Sequence, residues 1–102
     1  MGSTAIKELR IKLPADVADT ISKKDIIGLL LDMLLNKSEF YLSRSRSFEE
    51  KYHTDFKSFQ KRVSQSKEEV YTEWDDLMAW EGYEAAGNEW QKKYEALKNC
   101  MA

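Results

Sequence analysis

The sequence predicts a mostly α fold: one short N-terminal strand followed by three to five helices, assembled as a helical dimer. Three observations carry this expectation. Breakers are scarce, with four Gly and one Pro in 102 residues, so long helices are favoured. Apolar residues recur at three- and four-residue intervals from Ile26 to Leu97, the spacing of a helical face. By contrast, Leu9-Arg10-Ile11-Lys12-Leu13 alternates apolar and basic side chains and stops at Pro14. With a period of two, Leu9, Ile11 and Leu13 share one face while Arg10 and Lys12 share the other.

Residues 7–13 therefore read as a strand. A lone strand leaves its backbone groups unpaired, and no second stretch of the chain alternates comparably. The simplest partner is the same strand of a second copy, giving a two-stranded basic ribbon. Pro14 suits the first turn of a helix, where its missing N–H costs nothing. Residues 15–21 add about two turns, with Val17 and Ile21 on one face.

Ser22 caps the next helix, with Asp25 near its positive end. This helix is expected from Lys23 to about Ser43. Ile27, Leu30, Leu31 and Leu34 line one side, and Ile26, Leu29 and Met33 another. Such an apolar arc is wider than one packed face requires. Burying each Leu or Ile is worth about 1.5–3 kcal/mol, so cover from a second copy is expected. The predicted dimer interface is Leu9, Ile11, Leu13, Ile27, Leu30, Leu31 and Leu34.

Ser43-Arg44-Ser45-Arg46-Ser47 reads as a polar, basic break. Ser47 with Glu50 has capping-box spacing and would start another helix. Phe48, Tyr52, Phe56, Phe59 and Val63 then form one face, with a restart capped by Thr54 near His53. Ser66 with Glu69 is a second capping box, opening a long helix to Lys98. Its stripe is Val70, Trp74, Leu77, Trp80, Tyr83, Gly87, Trp90, Tyr94 and Leu97. From Trp80 the spacing is coiled-coil-like. Gly82 and Gly87 each cost about 1 kcal/mol inside a helix, which points to a kink or a close helix crossing.

Two regions follow: residues 5–43, a strand-helix-helix dimerisation and possible DNA-binding unit, and residues 47–100, an aromatic, acidic, partner-binding unit. The first is purely aliphatic to residue 39, and all twelve aromatics lie between Phe40 and Tyr94. Charge divides similarly. Residues 1–65 hold twelve Lys/Arg against nine Asp/Glu, and residues 66–102 hold four against nine. The first part can approach an anionic surface, and the second suits a basic partner.

Cys100 is the only cysteine, so no intrachain disulfide forms and a cytoplasmic setting is expected. Ile26–Leu35 is far short of the roughly 20 apolar residues that span a bilayer, so no membrane association is expected. Met1-Gly2-Ser3-Thr4 reads as an expression scar or frayed end.

The candidate chemistry is sparse. His53 is the only histidine; a structural zinc site wants four N- or S-rich ligands, so neither metal nor cofactor is expected. The dense carboxylates from Glu68 to Glu84 read as a solvated helix face. No Ser-His-Asp set, Gly-rich phosphate loop or Cys-x-x-Cys pair occurs, and enzyme activity is not expected. Arg10 and Lys12, with Lys23 and Lys24 at the helix start, form the basic set. A two-stranded ribbon fits the major groove, and helix-start N–H groups near Lys23 can hold a phosphate. Trp74, Trp80, Tyr83, Trp90 and Tyr94 are the residues suited to anchor a protein partner.

The run Leu9–Pro14, a helix, and the apolar Ile26–Leu35 helix together resemble a ribbon-helix-helix transcription factor. Many antitoxins of prokaryotic type II toxin–antitoxin pairs share that plan. Ser47–Val63 and Glu69–Leu97, with Trp-Asp-Asp-Leu and Trp-Glu-Gly-Tyr, resemble the C-terminal regions of small antitoxin-like proteins. The first helix is shorter than that family's, and Ser22-Lys23-Lys24-Asp25 replaces its Gly-containing turn. The resemblance implies a homodimer that neutralises a partner toxin and can bind its own operator DNA, and the acidic charge of residues 66–102 suits a small, basic toxin. The resemblance would set Arg10 and Lys12 against bases, and Lys23 and Lys24 near phosphates. A structural helical homo-oligomer without DNA binding is the alternative.

Overall fold

The computed structural model describes residues 5–68 and 70–100. It contains a four-residue helix α1 (Ala15–Ala18), a long α2 (Lys23–Tyr52), α3 (Phe56–Gln65) and a long α4 (Tyr71–Cys100). Helices α2 and α4 have 30 residues each, about 45 Å of helix apiece. They lie antiparallel: Tyr52 at the end of α2 bonds Asp76 near the start of α4, and Ser38 farther back bonds Gln91 farther on. The molecule measures 64 × 30 × 20 Å, with a radius of gyration of 19.4 Å. A compact domain of this length would have about 13 Å, so much of the surface stays in solvent.

Residues 5–14 have no regular structure, and among the described residues there is no strand. The strand expected at 7–13 is thus not formed in the single chain. Alternation fixes which side chains share a face, but a strand also needs a neighbour's N–H and C=O groups. Helix α1 is shorter than the expected two turns. It ends by Asp19, whose N–H bonds the Ala15 carbonyl, and Thr20 turns its hydroxyl back to the Val17 carbonyl at 2.8 Å.

Helix α2 starts where expected, with a reciprocal capping box. The Asp25 N–H donates to Ser22 Oγ, and the Ser22 N–H donates to Asp25 Oδ2, both at 3.0 Å. These bonds hold the Asp25 carboxyl below its usual range, the Ser22 backbone bond most of all. The helix does not break at residues 43–47, contrary to expectation. Ser43 Oγ donates to the Phe40 carbonyl at 2.7 Å and Ser47 Oγ to the Ser43 carbonyl at 3.2 Å. Serines can satisfy themselves on the preceding helical turn, so they permit the helix to continue. Ser45, between them, is buried against α4.

The chain reverses at His53, which adopts the left-handed conformation (φ 54°, ψ 38°). Asp55, rather than Thr54, caps α3, its Oδ1 accepting from the Ser58 N–H at 2.7 Å. At the far end Ser66 closes α3, and its Oγ accepts from the Glu68 N–H at 3.2 Å. The expected capping partner Glu69 lies outside the described residues.

The core lies where α2, α3 and α4 meet. Phe59 and Trp80 are fully buried, with Val63 and Leu77 beside them and Phe48, Tyr52 and Phe56 packed around. Trp80 stacks on Phe48 at 5.6 Å and meets Phe56 edge-on at the same distance. Tyr52 and Phe59 sit 4.1 Å apart. Such pairs add about 0.5–1.5 kcal/mol each beyond area burial. Farther along, the α2–α4 seam narrows. A Cβ on Gly87 would come within 2.6 Å of Leu42 Cδ2, whereas one on Gly82 would meet nothing within 4 Å. Gly87 therefore marks a close helix crossing, and Gly82 does not.

Candidate partner-binding surfaces

The predicted interface residues fall into three places. The first is the N-terminal arm and the start of α2. Leu9, Ile11 and Leu13 are 82%, 67% and 45% exposed. On α2, Ile27, Leu31 and Leu34 are half-buried, while Leu30 is exposed together with Ile26, Leu29 and Met33. The wide apolar arc is thus half covered within the single chain, and its other half is open.

The basic set is exposed throughout. Arg10 lies 3.8 Å from Glu8, with both side chains almost fully in solvent. Such a pair contributes little. Lys23 and Lys24 open α2, where the Asp25 N–H is already engaged by Ser22 and the Asp25 carboxylate sits beside it. A phosphate at that end would meet negative charge, so the anion site expected there is weakened.

The second place is the interior. Trp80, expected to contact a partner, is wholly buried. Its Nε1 donates to Ser45 Oγ at 2.9 Å, and Ser45 Oγ donates in turn to a Glu84 carboxylate oxygen. Tyr83 stacks on Phe48 and is half-buried. Ser38, also buried, donates to Gln91 Oε1 at 2.9 Å. At the α2–α3 turn, Asp76 accepts from Lys51 Nζ at 2.7 Å and from the Tyr52 hydroxyl at 2.5 Å. The Lys51 bond, then the Tyr52 bond, hold the Asp76 carboxyl below its usual range. Burial, then the Asp76 hydrogen bond, push the Tyr52 phenol up to about 12.

The third place is the α4 surface. Trp90 is half-buried, with Lys37 Nζ 5.0 Å and Lys93 Nζ 5.8 Å from its ring centre. Tyr94 is half-buried beside Lys98. These two rings are thus partly occupied by their own chain. Trp74 is 41% exposed, and two residues absent from the expected set are more so: Tyr71 at 74% and Met78 at 70%. Their signal was in the sequence, since 71, 74 and 78 have helical spacing. They lie beside Trp74 at the outer edge of the longer stripe, turned away from its buried members Leu77, Trp80 and Gly87.

An open groove of about 520 Å³ lies between Ala5, Ile6 and Lys7 and the last turns of α4 at Leu97 and Cys100. Among the described residues, no three His, Cys, Asp or Glu side chains converge to hold a metal ion. No described helix is long and apolar enough to cross a membrane. Comparison with protein-family models, curated proteins and solved structures finds no match to the chain.

Proposed function

We propose that this chain is an antitoxin-type interaction protein that dimerises through its N-terminal half and neutralises a partner toxin. One observation supports this above others. Among the described residues, nine of the fourteen large, exposed apolar side chains fall between Ile6 and Met33, on the arm, α1 and the first turns of α2. Scattered exposed apolar residues are ordinary, but a concentration of this kind marks an association surface. The arm also carries an alternating sequence with unpaired backbone, which a second copy would complete as a two-stranded ribbon. That ribbon would present Arg10 and Lys12 twice and could engage operator DNA.

The closed aromatic core favours a second reading, a structural helical oligomer. One experiment separates the two: co-purification with the product of the adjacent gene, followed by light scattering of the chain alone and of the mixture. The antitoxin reading expects a dimer alone and a stable complex in the mixture. A monomer alone, or no complex, would sink it. DNA binding, if present, should fall steeply with salt and be lost with Arg10→Ala and Lys12→Ala.

A further inference from the structure

We infer that the outward face of α4 built from Tyr71, Trp74 and Met78 docks a basic amphipathic segment of a partner protein. The inference rests on the antitoxin reading and assigns the surface that would take the toxin. Spacing of three and four residues places the three side chains in one row. The row points away from Leu77, Trp80 and Gly87, which face the interior. Gly82 continues it with open space where a side chain would stand, so a partner backbone can come close.

The occupant follows from charge. Between Glu68 and Gln91 there is no Lys or Arg, while residues 71–91 carry six carboxylates. Four have intrachain partners: Glu73 with Arg62, Asp76 with Lys51, Glu84 with Ser45, and Glu89 with Lys93. Asp75 and Glu81 have no ion pair among the described residues. On a helical projection they flank the apolar row on opposite sides. An apolar row edged by free carboxylates matches a helix whose apolar row is edged by Lys or Arg. The same carboxylates repel nucleic acid and anionic lipid.

The test titrates the full chain with a short Lys/Leu helical peptide, using its Glu-for-Lys counterpart as control. The basic peptide is expected to bind and the acidic one to fail. Tyr71→Ser with Met78→Ser, or Asp75→Lys with Glu81→Lys, should weaken binding by about tenfold or more, with unchanged helicity and melting. No binding, or equal binding to the variants, overturns the assignment. So does a self-association abolished by Tyr71→Ser with Met78→Ser, which would make a second copy the occupant. Co-purification with the adjacent gene product reads the antitoxin proposal separately. A complex that survives both double variants leaves that proposal standing and removes this face from it.

Discussion

The two ends of the α2–α4 pair are both rich in apolar residues, yet only one is closed. Around Trp80, three helices converge, and rings from α2 and α3 reduce its exposure to zero. At the other end α2 has α4 as its only helical partner with substantial packing among the described residues. One neighbouring helix covers one stripe, and the apolar arc of residues 26–35 is wider than a stripe. The difference lies in the number of neighbours, not in hydrophobicity. A closed end stabilises the chain itself, and an open end is free to associate.

The sharpest way to break this comparison is Trp80→Ala. Removing the central ring should cost about 3–5 kcal/mol, read as a drop in the urea midpoint. If the loss were below about 1 kcal/mol, the closed core would not be the chain's stabilising centre. The glycines come next. Gly87→Val should cost about 1–3 kcal/mol through collision with Leu42, and Leu42→Ala in the same chain should relieve part of it. Gly82→Ala, facing open space, should instead stabilise by about 0.5–1 kcal/mol.

A smaller effect is expected from pH. The lowered Asp76 pKa stabilises the fold above its ordinary value of 3.8 and ceases to do so as pH falls through the folded value. The raised Tyr52 pKa acts oppositely. Its contribution is complete below the ordinary 10.0 and is lost as pH rises toward about 12. Asp76→Asn should flatten the acid limb of the stability profile and bring the Tyr52 titration, followed by ultraviolet absorbance, back toward 10.0. The smallest effect belongs to the open end. Leu29→Ser with Met33→Ser should leave the stability of the dilute single chain within about 0.5 kcal/mol, while reducing the mass seen by light scattering at high concentration. A large loss at high dilution would mean that this face is already packed within the chain.

Much of the fold was legible because local chemistry writes it. The Ser22/Asp25 box is a contact between residues three apart, and the restart near His53 follows from a capping residue beside it, Asp55 rather than the expected Thr54. The aromatic row from Phe48 to Val63 was read as one face and remains one cluster, although a turn divides it between α2 and α3. The candidate surface was less legible. Trp80 and Trp74 both belong to the same helical stripe, and helical spacing alone cannot say which ring meets α2 and which meets solvent.

By itself, then, the sequence determined the helical periodicity, the start of α2 and the reversal near His53. These depend on hydrogen bonds and sterics within a turn or two of the chain. Tertiary structure alone decided that α2 runs unbroken through Ser43–Ser47, that residues 7–13 are not a strand in the single chain, and that Gly87, not Gly82, marks the crossing. It also turned Trp80 inward and left Tyr71 and Met78 outside. The physical reason is common to all four. Serine, an alternating segment, glycine and tryptophan each tolerate two environments locally, and only a neighbour distant in sequence selects one.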